Sequence, residues 1–260
     1  MSTPKTNKYN LPWILANAIE NDPYNPGDCQ SSTTRLISMP QIVALREKYT
    51  DDIEEDVAEG IWRTLGQAMH VIFERAGKNV VDAATGRIDN IVTEKRYFYD
   101  VNGWRISGQI DLLKGETLID WKVTSVWTYI YGSRVKEWEA QANVNRWLAY
   151  KNGIDIDSLE NYLILRDWIK SKAGGNYPPI QFVVVPLKLW PLEEAEKYIL
   201  ERVKLHQAAQ KLSDAELSVR FPCSAEDRWW NEKQKRFIRC DDYCPVSGKC
   251  SQNLHTVVTK

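Results

Sequence analysis

Residues 104–123 read WRISGQIDLLKGETLIDWKV, and the way this stretch alternates decides the fold. Ile106, Gly108, Ile110 and Leu112 alternate with Arg105, Ser107, Gln109 and Asp111; past Gly115 and Glu116, Leu118, Asp120 and Lys122 alternate with Ile119, Trp121 and Val123. A period of two marks a strand. With Gly115 first in a two-residue type II′ turn, Lys114 faces Thr117, and counting back sets Asp111 opposite Asp120 and Gln109 opposite Lys122. Two like charges across a strand pair repel. A divalent cation between the carboxylates removes that repulsion, and hard oxygen ligands beside a lysine suit Mg²⁺ or Mn²⁺ at a phosphate. Solvated charge on an exposed strand face is the plainer meaning of the same residues, so the flanking segments have to decide.

The 260 residues are 43% hydrophobic and 27% charged with a net charge of −1. That length holds one large domain, or a domain with a small appendage. No global positive field draws in nucleic acid, so any DNA path has to come from local Lys and Arg clusters. No apolar run approaches the roughly 20 residues of a membrane span, and the opening MSTPKTNKYNLPWILANAIENDPYNPG lacks a cleavable signal pattern. A cytoplasmic protein with no membrane partner is expected. Among 11 Trp and 12 Tyr, some are available to stack on bases while most belong to the core.

Three segments are expected: an N-terminal arm over 1–30, a core over 31–212 and a cysteine-containing segment over 213–260. Pro40 at a first helical turn starts a helix through Leu45 towards Tyr49. The pattern over 54–77 predicts a long helix with Val57, Ile61, Leu65, Ala68, Met69, Ile72 and Phe73 as its apolar stripe and Gly77 as its stop. Gly66, His70 and Glu74 form a second stripe, where the glycine leaves room beside a ligand-capable histidine. A strand over 94–100 leads through Asn102 and Gly103 into the hairpin. A helix follows at 137–151, then interior strands at 160–168 and 181–187, then a helix from Pro191 to about Leu212 with Glu193 and Glu194 near its positive end.

Gly108-Gln109-Ile110-Asp111, followed after eight residues by Asp120-Trp121-Lys122, resembles motifs II and III of the PD-(D/E)XK nuclease superfamily. Gly66-Gln67-Ala68-Met69-His70 is similar to the G-x-x-x-H helix of its RecB and Cas4-like branch, in which the histidine joins the acids as a metal ligand. Gln141 on the next helix matches the start of that branch's Q-x-x-x-Y motif, although the residue four on is Asn145. SSTTRLISMPQIVALREKY, GQID, DWKVTSVW and LILRDW together look like phage-encoded members. The resemblance implies an α/β fold with a restriction-endonuclease-like core, a mixed central sheet flanked by helices, and the order helix, three strands, helix, strand agrees with it. It implies a Mg²⁺- or Mn²⁺-dependent DNA nuclease, expected to be an exonuclease, acting on single-stranded DNA or duplex ends in phage recombination, repair or degradation. His70, Asp111 and Asp120 would hold the metal; Asp111, Asp120, Lys122 and Gln141 would carry catalysis, with Gln141 orienting Lys122.

Five cysteines in a cytosolic chain argue for metal ligation or buried thiols over disulfides. Cys240, Cys244 and Cys250, spaced C-x3-C-x5-C, look similar to the C-terminal cysteines that hold a [4Fe-4S] cluster in Cas4-like nucleases. Those relatives place another cysteine before a proline in an early helix, where this chain has Met39 before Pro40. The fourth ligand is then Cys223 or Cys29, and four thiolates suit Zn²⁺ as well. Arg134, Lys136, Arg146, Lys151, Arg166, Lys170 and Lys172 are candidates for a phosphate-lined groove, against the commoner meaning of a solvated face. A DNA-binding or assembly module that keeps the fold without catalysis is the rival expectation, and a redox metal-cluster protein a third.

Overall fold

Residues 5–22, 24–77 and 91–253 are described by a computed structural model. In chain order they form β1 (Lys5–Thr6), α1 (Trp13–Glu20), β2 (Ser31–Ser32), α2 (Thr33–Ile37), α3 (Pro40–Lys48), β3 (Glu55–Asp56), α4 (Ile61–Gly77), β4 (Ile91–Val101), β5 (Trp104–Lys114), β6 (Thr117–Thr124), α5 (Val126–Tyr131), α6 (Val135–Lys151), β7 (Ser158–Leu165), β8 (Phe182–Pro186), α7 (Leu192–Ala209) and α8 (Asp214–Arg220). No helix among the described residues is long and apolar enough to cross a membrane.

The chain divides into two units. The first takes in Pro23–Ile37 and Trp62–Leu200, the second Met1–Asp22, Ser38–Ile61 and Glu201–Lys260. The boundaries expected at 31 and 213 do not coincide with these units, because the second is assembled from three separated stretches of chain that local sequence pattern cannot connect.

The first unit is a mixed sheet flanked by helices. β4 runs antiparallel to the whole length of β5, β5 to β6 over Leu112–Lys114 only, β6 and β7 are parallel throughout, and β8 closes the order antiparallel to β7. β2 pairs in parallel with β5 beside Ile106 and Ser107. Both hairpin turns follow from backbone chemistry. Asn102 and Gly103 both take positive φ, as a type I′ turn requires, whereas at the next turn Gly115 does (φ 59) and Glu116 does not, as in type II′.

α6 is buried along most of its length, with Trp147, Leu148 and Val144 fully so. It lies against Gly108 of β5, where an added Cβ would sit 2.3 Å from Asn145 Oδ1 and 2.6 Å from Leu148. Only glycine permits so close an approach. Burial of side chains such as Ile106, Ile110 and Leu148 stabilises by roughly 1.5–3 kcal/mol each.

α4 departs from expectation in its orientation. Of the helix expected over 54–77, Glu55–Asp56 is strand and Val57–Gly60 is 3₁₀, and none of the residues of α4 is fully buried. Leu65 and Ile72 of the apolar stripe stand 42% and 51% exposed. The face turned to the sheet carries His70 and Gly77 and, of the expected apolar stripe, Phe73: Phe73 stacks on Trp121 at 3.9 Å, and Gly77 abuts Thr93 and Ile91 of β4.

In the second unit, Ala44 and Leu45 of α3 pack with Ile53, Ala209, Leu217 and Val246. Ala16 and Ile19 of α1 pack on Val57 in a separate cluster.

Candidate active site

The expected register of the 104–123 hairpin holds over Lys114–Thr117, Leu113–Leu118 and Leu112–Ile119, and the ladder stops one residue short of Asp111 and Asp120. Freed from pairing there, Asp111 Oδ2 accepts the Trp121 N–H at 3.0 Å, bridging the fork between the strands. The same divergence overturns the pairing of Gln109 with Lys122. Gln109 turns to β4, accepting from Arg96 and donating to Glu94.

Glu94 itself was not expected at the site. It lies across from Asp111 in the β4–β5 register, between Thr93–Leu112 and Lys95–Ile110, and its backbone is left-handed at φ 49. A strand normally sends successive side chains to opposite faces; here Thr93 meets Gly77 and Glu94 meets His70, both on α4. The left-handed residue makes this possible, at a conformational cost of about 1–3 kcal/mol for a non-glycine. His70 Nδ1 donates to Glu94 Oε1 at 3.1 Å and lies 3.5 Å from Asp111 Oδ2. One ligand atom from each of His70, Glu94 and Asp111 falls within 4.8 Å of the others. No sequence signal marks Glu94 beyond an acid early in a strand.

Burial, and then the charge of Asp120, lift the Asp111 carboxyl far above its ordinary range, to about 7. For His70, burial disfavours the imidazolium, but the Glu94 hydrogen bond and the charge of Asp111 outweigh it and its pKa rises. Both shifts describe excess negative charge at a half-buried place, which a divalent cation would relieve. The donor set of one imidazole and two carboxylates, with Asp120 beside it, fits Mg²⁺ or Mn²⁺.

Beyond the fork, Lys122 Nζ lies 2.6 Å from Asp120 Oδ2 and donates to Gln141 Oε1 at 3.1 Å, and Gln141 Nε2 donates to Asp120 Oδ1 at 3.4 Å. The Asp120 carboxylate is thus held by the lysine and the amide together. Asn161 of β7, in register with Asp120 and 1% exposed, leaves its Nδ2 without a partner.

Asn145, where a tyrosine would complete the helix motif, is buried. Its Oδ1 accepts from Thr33 Oγ1 at 2.7 Å and its Nδ2 donates to the Gln109 carbonyl at 3.0 Å, pinning the β5 backbone two residues before Asp111. Arg146 is not available to a phosphate groove, because it donates to the carbonyls of Ile156 and Trp190. Arg134 pairs with Glu137, and Lys151 with Glu196.

In the second unit Cys223, Cys240, Cys244 and Cys250, all free thiols, line a common pocket with Ile42, Arg228 and Arg239. Gln41, fully buried on α3, donates to Cys250 Sγ at 3.4 Å and accepts from Cys223 Sγ at 3.6 Å; Arg228 Nε donates to Cys240 Sγ at 3.3 Å. Met39 meets Arg239, so the start of α3 reaches the pocket without supplying a thiol. Burial, with a further push from Cys250, drives the Cys223 thiol up to about 12, and burial raises Cys244. Four soft sulfur donors fit an iron-sulfur cluster or Zn²⁺. Cys29 lies elsewhere, its Sγ 3.3 Å from Ser107 Oγ and 3.5 Å from the Pro26 carbonyl in the sheet unit.

No protein-family model matches the chain, and no curated protein matches it. Among solved structures, the crystal structure of SSO0001 resembles it with a TM-score of 0.55 at 15% identity, covering 92% of this chain and 95% of that one. At that identity the likeness is one of fold alone.

Proposed function

We propose that the chain is a metal-dependent DNA nuclease of the PD-(D/E)XK superfamily with a restriction-endonuclease-like core, hydrolysing phosphodiester bonds as an exonuclease in phage DNA recombination, repair or degradation. The observation that carries this reading is the convergence of His70, Glu94 and Asp111 within 4.8 Å beside the Lys122–Asp120–Gln141 cluster. A structural salt-bridge network would not need a left-handed glutamate to add a further negative charge.

A divalent cation held there would supply Lewis acidity for the scissile phosphate and an attacking water. His70, Glu94, Asp111 and Asp120 are the residues to hold it. Lys122, paired with Asp120 and aimed by Gln141, stabilises charge that builds on the phosphoryl oxygens and positions the attacking water. Asn145 fixes the β5 backbone so that Asp111 keeps its place at the fork. The four cysteines are proposed to hold a [4Fe-4S] cluster or Zn²⁺ with a structural role.

The test is cleavage of end-labelled linear and closed circular DNA with Mg²⁺ or Mn²⁺, with EDTA as control. Degradation of the linear form alone identifies an exonuclease. DNA binding without cleavage of either form would replace this reading with that of a non-catalytic DNA-binding module.

A further inference from the structure

The parallel strands β6 and β7 end together, and aromatic rings stand in solvent beside cations at that end. The Arg166 N–H donates to the carbonyl of Thr124, two residues past Lys122, at 2.9 Å. Its guanidinium lies 4.4 Å from the centre of the Trp62 ring, which is 53% exposed. Trp127, on α5 directly after β6, is 45% exposed and stacks on Tyr131, 74% exposed, with centres 6.0 Å apart and planes 21° from parallel. Lys172 Nζ stands 5.9 Å from the Trp127 ring centre. The support is firm. Asp167 accepts from Ser125 Oγ at 2.7 Å and from the Val126 N–H at 2.6 Å, and Tyr177 backs Trp127 edge-on.

A single exposed ring is ordinary on a protein surface. Two separate ring–cation pairs, one on the helix that follows β6 and one at Arg166 bonded to Thr124, have a shared chemistry: a flat apolar face for a base and a cation for its phosphate. We infer that Trp127, Tyr131 and Trp62, with Lys172 and Arg166, form a stacking surface for the unpaired bases of a single-stranded polynucleotide running to the Asp111–Lys122 site. This rests on the nuclease reading and narrows it to a substrate that is single-stranded where it meets the enzyme. Stacking on rings tolerates any base and requires that the base be free of its complement, while Lys172 and Arg166 neutralise the backbone.

The experiment is fluorescence anisotropy of the full chain in EDTA, where no cleavage is needed. The probes are a labelled oligothymidylate of about 16 nucleotides, an abasic strand of the same length, and a blunt duplex. The wild-type protein is expected to bind oligothymidylate about fivefold or more tighter than the abasic strand. Trp127→Ala with Tyr131→Ala should erase that preference while leaving abasic binding unchanged, and Trp127→Phe should retain most of it. Equal wild-type affinity for the thymidine and abasic strands would overturn the inference. So would a double variant with native circular dichroism and undiminished oligothymidylate binding, or duplex binding that falls as far as single-strand binding. The two readings fail separately. Cleavage abolished by Lys122→Ala, with binding indifferent to the rings, removes the stacking surface alone; ring-dependent binding with no cleavage under any metal removes the nuclease alone.

Discussion

Two clusters of side chains able to ligate a metal stand out among the described residues, and they differ in chemistry and in backbone. At the fork of β5 and β6 the donors are hard, His70, Glu94 and Asp111, and one of them is carried on a left-handed backbone. In the second unit the donors are four thiols lining one pocket, hydrogen-bonded by Gln41 and Arg228. The first gathers carboxylates and an imidazole around one point; the second gathers soft sulfur, with burial raising the Cys223 and Cys244 thiols. The proposed function puts turnover at the oxygen site and a structural role at the sulfur site, and each half can be broken independently.

The largest expected effect separates them by activity. Lys122→Ala should lower cleavage by about a thousandfold or more, while Mn²⁺ binding by calorimetry persists, since the lysine is not a metal ligand. Normal cleavage by purified Lys122→Ala would end the assignment of catalysis to the fork. Next, Cys240→Ser or Cys250→Ser should strip iron or zinc from the protein, read by elemental analysis and by absorption near ~400 nm for a cluster, and lower the melting temperature by several degrees, because metal binding at such sites is folding free energy. Mn²⁺ affinity at the fork should stay unchanged in these variants. A Cys→Ser protein that keeps its full metal content would remove the thiol pocket from the comparison.

A smaller effect tests the strained ligand. Glu94→Gln should weaken Mn²⁺ binding by about 10-fold or more, at least the loss seen when a ligand's outer-shell partner is removed. Glu94→Gly and Glu94→Ala both remove the carboxylate, but only glycine tolerates φ 49 freely. In EDTA the glycine variant should therefore be the more stable of the two by about 1 kcal/mol. Equal stability would mean that the left-handed residue carries no strain.

What the sequence revealed divides along physical lines. The turn of the 104–123 hairpin was legible because alternation and a glycine-first turn are local: the register beside the turn followed from Gly115, while the parting of the strands before Asp111 did not. His70, Asp111, Asp120, Lys122 and Gln141 were legible as an ordered set, and the structure brings them together across α4, β5, β6 and α6. The orientation of α4 was not, because periodicity identifies an apolar stripe without saying what it faces, and here the stripe bearing His70 and Phe73 meets the sheet. Glu94 was hidden because nothing in Thr93-Glu94-Lys95 announces a left-handed residue; tertiary contacts with Gln109 and His70 hold it there. Asn145 kept the four-residue spacing from Gln141 but exchanged a ring for an amide, so its part as a clamp on the Gln109 carbonyl emerged only from packing. The two-unit division lay beyond any local pattern.

The smallest effect concerns the proton that stands in for the cation at the fork. The folded pKa of Asp111, about 7, lies above its ordinary value of 3.8. Below that lower value both the folded and unfolded chains are protonated at Asp111 and nothing is lost. As pH rises between the two values the unfolded chain releases its proton while the folded chain retains it, so stability falls, and above about 7 the full cost is present. His70, with a raised pKa, contributes in the same sense, since its stabilisation is present at low pH and disappears as the imidazolium titrates. In EDTA, Asp111→Asn should therefore raise the melting temperature by several degrees at pH 8, with a gain that shrinks towards pH 4. Mn²⁺ should invert the ranking, stabilising the wild-type protein more at pH 8 than at pH 6, because the cation has to displace the Asp111 proton. Melting curves for the two proteins at three pH values, each with EDTA and with Mn²⁺, measure both trends. A pH-independent Mn²⁺ stabilisation would mean that Asp111 is not a ligand, leaving His70 and Glu94 as an ion pair of the fold.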